Sequence, residues 1–363
     1  MTNSEFSRRG FLRASAVVGG GFLLAGCGSS AGPAGGGEGG VDVSTLSGAE
    51  LEEAARAEGA TVLWYNTGNP TLVESVTKGF TAAYPWMTFS GVPVPFTDLP
   101  AKVATEAITE APTADVMWFP PTLREQMTAN LILAPTTLDG DANMPPDTLD
   151  PDRVAHPVWQ LGIGVVYNPD IVTGPPTTPE QLADPTWLGK IAFDRVANLG
   201  QSTTWLSVWR EEMGDDAWNA WLDGLKANEV FITTAASTTY ETVLRGERQI
   251  GLASSNYVIN QAAGTPMAMG FDIPLVPFYN HQYLTRRAAH PASGKVFMEW
   301  ASTEEGQRAI ADVGLSPIMA IDTDSSLEKF TGAEGELLPG TDLAHFSANT
   351  SDYLAALTKR WPG

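Results

Sequence analysis

Four short polar runs, each at the predicted start of a helix, are the residues of this chain best suited to binding chemistry. A helix N-terminus presents unpaired N–H groups and about half a positive charge, so it favours an oxyanion. Ser and Thr at such positions often serve only as helix caps, and we expect two or more of the four runs to contact a ligand. The runs are Thr67-Gly68-Asn69, Gln201-Ser202-Thr203, Ser237-Thr238-Thr239 and Ser254-Ser255-Asn256.

One arginine and two aromatic residues lie near the same predicted strand ends. Arg195 is suited to a charge-assisted contact with an anion, although pairing with a nearby carboxylate is an equally good use. We predict that Trp118 and Tyr257 line a pocket, the first as an apolar platform and the second as a hydrogen-bonding phenol. The set predicts a binding site for a small molecule, without a metal and without a cofactor.

Signatures of catalysis are absent from the sequence. No G-x-S-x-G motif is present, and His156, His281, His290 and His345 show no metal-ligand spacing. A G-x-x-x-x-G-K phosphate loop is also missing. We therefore predict that the chain is not an enzyme. The alternative is a secreted hydrolase whose triad only the fold assembles, for example around His281 or Asp115.

The N-terminal residues have the pattern of an export signal. The run Ser7-Arg8-Arg9-Gly10-Phe11-Leu12 resembles a twin-arginine motif, and the apolar segment after it is shorter than the ~20 residues that a membrane-spanning helix needs. It ends in Leu24-Ala25-Gly26-Cys27, which resembles a lipoprotein processing site. We predict that residues 1–26 are removed and that Cys27 carries the lipid; a cleaved signal followed by an unmodified thiol is the alternative.

Composition indicates an exported two-lobed protein on a tether. The Gly- and Ser-rich residues 27–44 are typical of a flexible linker, and the rest of the chain is long for one core. The formal net charge of −21 disfavours nucleic acid and polybasic docking on anionic lipid. We expect a monomer held to the cell membrane by its lipid anchor only, facing the extracellular or periplasmic side.

Strand and helix patterns alternate along the chain. The strand-forming run Ala60–Tyr65 precedes the polar run at Thr67, and Pro70 begins a helix that ends at Tyr84-Pro85. The same alternation continues through the buried run Ala114–Phe119 and the long, glycine-containing strand that begins at Val158. This order predicts an α/β fold with binding loops at the carboxyl ends of the strands.

Several short motifs, in this order, resemble the extracellular solute-binding proteins of ABC importers, in the branch that contains the ferric-iron binders. The resemblance covers nearly all of the chain after the signal. Its motifs are Trp64-Tyr65-Asn66, Ala83-Tyr84-Pro85, Ala114-Asp115-Val116, Val166-Tyr167-Asn168, the run Asp184–Ile191, Arg245-Gly246-Glu247 with Ile250-Gly251, and Ser302–Gln307 with Gly314-Leu315-Ser316-Pro317.

The resemblance implies a two-lobe periplasmic-binding-protein-like (type II) fold with the ligand cleft between the lobes. We place the first lobe at residues 45–160 and 277–363 and the second lobe at 161–276. Two crossing strands, near Leu161–Tyr167 and Pro274–Tyr279, would form the hinge. The implied partners are a small-molecule solute and an ABC permease with its separate ATPase subunit; a protein that presents its ligand to a sensor is the other possibility.

The resemblance also bears on the ligand. Ferric-iron members carry two adjacent tyrosines, where this chain has Asn256-Tyr257. Ferric iron is a hard cation that needs several anionic oxygens, and a lone tyrosine among amides provides few of them. We therefore predict a small organic, anionic solute such as a phosphate, phosphonate or carboxylate. Ferric iron or an iron complex, and a cation held against Trp118, are the alternatives.

Overall fold

The computed structural model describes residues 42–68, 70–129, 133–331, 338 and 343–360. The predicted lipid attachment at Cys27 and the predicted contact at Asn69 lie outside these residues. In the described part, eleven strands form one mixed sheet. They are β1 (Thr61–Asn66), β2 (Thr88–Pro93), β3 (Val116–Phe119), β4 (Leu133–Ala134), β5 (His156–Tyr167), β6 (Ile191–Asp194), β7 (Phe231–Thr233), β8 (Ile250–Ser254), β9 (Ala268–Met269), β10 (Val276–Thr285) and β11 (Ser316–Pro317).

Helices connect most of these strands. In the described residues they are α1 (Gly48–Ala57), α2 (Pro70–Ala83), α3 (Leu99–Ile108), α4 (Arg124–Ala129), α5 (Gln201–Met213), α6 (Asp215–Ala227), α7 (Ala236–Leu244), α8 (Ser255–Ile259), α9 (Pro291–Ala301), α10 (Glu304–Ala311), α11 (Leu327–Thr331) and α12 (Leu343–Arg360). Short 3-10 turns occur at Val43–Thr45, Pro121–Leu123, Asp139–Asn143, Pro146–Thr148, Pro179–Ala183, Pro185–Trp187 and Val196–Asn198.

Two long antiparallel strands join the two halves of the sheet, whose main order is β2-β1-β3-β10-β5-β8-β6-β7. Strand β10 pairs with β3 through its C-terminal half and with β5 through its N-terminal half. Strand β5 pairs in turn with β8 between Ile163 and Tyr167. We call the half that contains β1–β4 the first lobe and the half that contains β6–β8 the second lobe. The predicted residue boundaries at 160/161 and 276/277 stay a prediction.

Each lobe has parallel strands with helices packed against them. In the first lobe, β2, β1 and β3 are parallel, and α9 and α10, which follow β10 in the chain, pack beside α1, α2 and β1. In the second lobe, β6 lies parallel to both β7 and β8, between α5 and α7. Parallel strands joined by crossover helices bring their carboxyl ends to one edge, which is where ligands bind in such sheets.

The C-terminal helix α12 contacts both lobes. The hydroxyl of Ser351 donates to Glu125 Oε2 of α4 at 2.6 Å, whereas the phenol of Tyr353 donates to Glu211 of α5. Arg360 donates to Asp223 of α6 at 2.6 Å. The sequence does not predict this role, because contacts over more than 130 residues leave no local pattern.

The capping-box patterns of Thr238 with Glu241 and of Ser302 with Glu305 predict two helix caps, and both predictions are wrong. Thr238 lies inside α7, whose N-cap is Ala235, because the helix begins two residues before the predicted start. At α10, the cap is Thr303 in place of Ser302: the Thr303 hydroxyl accepts the N–H of Gly306 at 3.2 Å. Ser302, with Glu305 three residues later, fits the capping-box pattern and Thr303, with Gly306, does not, so the pattern selects the wrong one of two adjacent hydroxyl residues.

Candidate functional site

The carboxyl ends of β6, β7 and β8 place four of the predicted polar residues in the second lobe close to one another. Gln201 begins α5, Ser237 lies in the first turn of α7, and Asn256 and Tyr257 lie in α8. The side chains of all four are partly buried. We call this part of the second lobe, together with Asp194 at the end of β6, the second-lobe wall.

Asp194 is the most buried charged group of this wall, at 3% exposure. Its Oδ1 accepts the backbone N–H of Ser202 at 3.0 Å and also the Ser202 hydroxyl. The Asp194 N–H donates to Ser202 Oγ at 3.1 Å. Burial raises the pKa of Asp194, while the hydrogen bonds from Ser202 oppose that shift. The N-terminus of α5 therefore already holds a carboxylate of the protein itself.

A chain of side-chain hydrogen bonds connects α5 to α8. Gln201 Nε2 donates to Ser254 Oγ at 2.9 Å, and Ser254 Oγ donates to Asn256 Oδ1 at 2.6 Å. Gln201 Oε1 is buried and has no hydrogen-bond partner in the described structure. Ser255 points elsewhere, since its Oγ accepts the N–H of Gly162 on β5 at 3.2 Å.

Tyr257 lies between α7 and the carboxylate of β6. Its ring stacks on Tyr240 with centroids 5.6 Å apart and planes inclined at 23°. Burial raises the pKa of the Tyr257 phenol, a hydrogen bond with Ser237 lowers it, and the charges of Asp194 and Glu241 raise it further. The phenol therefore keeps its proton near neutral pH and acts as a neutral hydrogen-bonding group.

The first-lobe side of the cleft is formed at the end of β1. The backbone N–H and the hydroxyl of Thr67 both donate to the carbonyl of Trp118, at 3.1 and 3.2 Å. Asn66 is completely buried, and neither polar atom of its amide has a partner in the described residues. A Cβ at Gly68 would lie 2.8 Å from Asn66 Nδ2, so the amide needs a glycine beside it.

The prediction that Trp118 lines the pocket as an apolar platform is wrong. Its indole is completely buried, stacked on Phe297 at 5.6 Å and 9°, and edge-on to Trp64 at 4.6 Å. The indole belongs to the core of the first lobe because α9, which carries Phe297, packs against β3. Thr203 is also fully buried, and its hydroxyl donates to the Val196 carbonyl at 2.7 Å.

The other predicted site residues are placed as follows. Ser202 is buried and bonded to Asp194, and Ser255 is buried against β5. Arg195 directly follows β6 and is exposed, with its N–H donating to the Thr233 carbonyl at 3.0 Å. Arg195 is therefore open to an anion from solution.

The sequence does not reveal Asp194 or Asn66 as site residues, although each is the last residue of a strand. A buried polar residue at the carboxyl end of a parallel strand is the available signal. Strand ends can be placed from sequence only to within a few residues. The sequence therefore does not tell whether such a side chain lies in the core or in the cleft.

Asp115, named above for the hydrolase alternative, has hydrogen bonds to the backbone and lies 3.6 Å from His290 Nδ1. The Asp115 carboxylate accepts the N–H groups of Leu63 on β1 and of His290 at the start of α9, at 2.8 and 2.9 Å, and so ties these two elements to the residue that precedes β3. Within the described ranges, no three His, Cys, Asp or Glu side chains are arranged to hold a metal ion. None of the described helices is long and apolar enough to cross a membrane.

Comparison with known proteins identifies the class. A family model described as bacterial extracellular solute-binding protein matches residues 75–329. Iron-bound HitA from Pseudomonas aeruginosa has a similar structure, with a TM-score of 0.71, 18% identity, and coverage of 83% of this chain and 99% of HitA. AfuA from Actinobacillus pleuropneumoniae, with exogenous fructose-6-phosphate bound, has a TM-score of 0.71 and 17% identity. The match covers 83% of this chain and 98% of AfuA.

A further structural relative is the substrate-binding protein of an ABC transporter from Agrobacterium tumefaciens. Its TM-score is 0.65 at 17% identity, over 82% of this chain and 96% of that protein. No curated protein sequence matches the chain significantly. The fold is that of the two-lobe, type II periplasmic binding proteins. The chain belongs to the bacterial extracellular solute-binding proteins, a family that acts outside the cytoplasm.

Proposed function

We propose that this protein is the solute-binding component of an ABC importer, that it takes a small organic anion into its cleft, and that it has no enzymatic activity of its own. The observation that carries the ligand class is the set of donor groups in the second-lobe wall. Asn256, the neighbour of Tyr257, is a neutral amide that Ser254 already engages, and the Asp194 carboxylate is already held by Ser202. Ferric iron requires several anionic oxygens, and this wall offers few of them.

Two features support an anionic group on the solute. Arg195 is exposed at the carboxyl end of β6, where a guanidinium can make a charge-assisted contact. The nine-residue helix α7 begins beside Tyr257, with Ser237 in its first turn, so its partial positive charge lies at the same wall. The structural relative AfuA was solved with a sugar phosphate bound.

Ferric iron is the second candidate, because a phenol and a carboxylate, Tyr257 and Asp194, lie close together in the wall. The experiment is a titration with ferric citrate, followed by absorbance, beside a thermal-shift screen of organophosphates, carboxylates and polyamines. We expect an organophosphate or carboxylate to raise the melting temperature, without a visible tyrosinate-to-iron band. A band that disappears in Tyr257→Phe would establish iron and reject the organic anion.

We also propose that Cys27 attaches the protein to the membrane by a lipid after twin-arginine export. A single acyl chain binds a bilayer only marginally, so stable anchoring requires more than one. Substitution Cys27→Ala should release the protein into the medium or periplasm, while Arg8→Lys with Arg9→Lys should block export. Retention of the Cys27→Ala protein in washed membranes would contradict the anchor.

A further inference from the structure

The two oxygens of the Asp194 carboxylate have different surroundings. Oδ1 is held by the first turn of α5 through Ser202. Among the described residues, the carboxylate is bonded by Ser202 and by its own backbone N–H, and neither Lys nor Arg pairs with it. Asp194 is 3% exposed, yet Oδ2 does not belong to the fully buried polar atoms that lack a partner. Oδ2 is therefore an acceptor that solvent, and hence a group of the solute, can reach.

Gly200 keeps the space above this oxygen free. A methyl group added at position 200 would lie 3.1 Å from Asp194 Oδ2 and would have no other heavy atom within 4 Å. Gly200 has φ −92° and ψ −146°, outside the main regions that residues with a side chain occupy, so the backbone itself favours glycine here. The missing side chain also leaves access to Oδ2.

A second open acceptor belongs to the residue that follows. Gln201 Oε1 is buried without a partner, while Gln201 Nε2 is fixed by Ser254. Gly200 and Gln201 are consecutive, and Ser202 holds Asp194, so both acceptors are fixed by the same turn of the chain. The phenol of Tyr257 lies near enough for the Asp194 charge to influence its ionisation.

We propose that Asp194 Oδ2 and Gln201 Oε1 form a subsite that accepts hydrogen bonds from a hydroxyl or ammonium group of the solute. This rests on the proposed binding of an organic anion and narrows it: the solute carries a donor group as well as its anionic group. Polyol phosphates and amino-alcohol phosphates belong to this class. Anions with only alkyl substituents do not.

The test compares three phosphates that differ in one substituent, ethyl phosphate, 2-hydroxyethyl phosphate and 2-aminoethyl phosphate, together with fructose 6-phosphate. Binding is measured by calorimetry and thermal shift. We expect the donor-bearing compounds to bind about tenfold or more tightly than ethyl phosphate, because a buried acceptor left unpaired penalises the analogue that lacks the donor. Comparison of the hydroxyl and ammonium compounds then identifies which donor the subsite takes.

Two variants locate the effect. Asp194→Asn replaces the open acceptor with an amide, and Gly200→Ala covers it without altering the carboxylate. Each should remove the preference for the donor-bearing compounds, whereas Gly174→Ala, an exposed glycine with open space around it, should leave the preference unchanged. Circular dichroism confirms folding, and the comparison of ethyl phosphate with 2-hydroxyethyl phosphate in the wild type tests the subsite if a variant does not fold.

The outcomes separate the two proposals. Binding of organic anions with no donor preference, or with a preference that survives in Gly200→Ala, overturns the subsite and leaves the proposed ligand class intact. Failure of all four phosphates and of the carboxylate screen to bind at about 10 mM, a concentration at which even millimolar sites fill, overturns the ligand class and the subsite with it.

Discussion

Leu275 occupies the position that a side chain on Gly164 would need. A Cβ on Gly162 would lie 2.6 Å from Leu275 Cδ1, and a Cβ on Gly164 would approach Cδ2 of the same residue still more closely. Both glycines belong to the crossing strand β5, and Leu275 directly precedes β10, the strand that returns. A glycine in a strand either allows a bend or allows another group to pack closely. Here the two glycines permit close packing between the two hinge strands.

The first prediction follows from this contact. Gly164→Ala should lower the free energy of unfolding by about 1–3 kcal/mol, because the added methyl group overpacks a buried site. Leu275→Ala alone should also destabilise, through the cavity that it leaves. The double variant should be more stable than the sum of the two single effects predicts, as measured by urea denaturation. Strict additivity would show that the two residues do not compete for the same space.

The second prediction concerns closure of the cleft. Since β5 and β10 join the lobes, a bound solute that bridges the cleft should favour the closed state. Small-angle scattering should then show a smaller radius of gyration with the solute than without it. Ser351→Ala removes the bond from α12 to Glu125 in the first lobe. This variant should widen the distribution of distances between the two lobes in the solute-free protein. An unchanged radius at saturating solute would contradict hinge closure.

Much of the fold could be predicted from local sequence patterns. The helix predicted from Pro70 to Ala83 is found at those residues, because proline fixes its start and Tyr84-Pro85 its end. The long strand predicted from Val158 is β5, which begins two residues earlier at His156. Such patterns depend on neighbouring residues only, which is why they are visible in one sequence.

The candidate site was less accessible to prediction, for reasons that Ser202 and Trp118 illustrate. Ser202 is a serine at the start of a helix, a position that often binds an anion. Here the carboxylate of Asp194, eight positions earlier, already accepts the N–H of Ser202. Trp118 lies near a strand end as predicted, yet β3 is buried along its whole length. Which partner fills a helix N-terminus, and which strand face opens to the cleft, depends on tertiary packing.

The third prediction tests the packing role of Trp118. Trp118→Ala should cost about 3–5 kcal/mol of stability, as expected for loss of a large core aromatic side chain. Trp118→Phe keeps a ring against Phe297 and should cost less. Solute affinity of the Phe variant should equal that of the wild type, because the indole is buried away from solvent. If the Trp118→Phe protein folds but binds the solute more weakly, Trp118 contacts the solute and the packing role is contradicted.

The fourth prediction is a pH dependence that comes from His281. Burial lowers the pKa of this imidazole to about 3; the Asp150 charge opposes this shift, whereas the charges of Arg124 and His156 add to it. An unfolded chain takes up the proton near pH ~6.5, so the unfolded state binds more protons than the folded state between these two values. Stability from this group is therefore fully present above about pH 6.5 and is lost as the pH falls, by at most ~1.4 kcal/mol per pH unit.

His281→Gln removes this titration while keeping a side-chain donor in the core. Unfolding free energies of the wild type and the variant should be compared at intervals between pH 8 and pH 4. At pH 8, where the wild-type imidazole is neutral in both states, the difference reports packing alone. As the pH falls, the wild type should lose stability faster than the variant. Protonation of Asp141 and Asp150, whose pKa values are lowered by their partners, also destabilises the protein in acid, but this loss occurs in both proteins. Parallel curves over the whole range would mean that His281 is protonated in the folded protein as readily as in the unfolded chain.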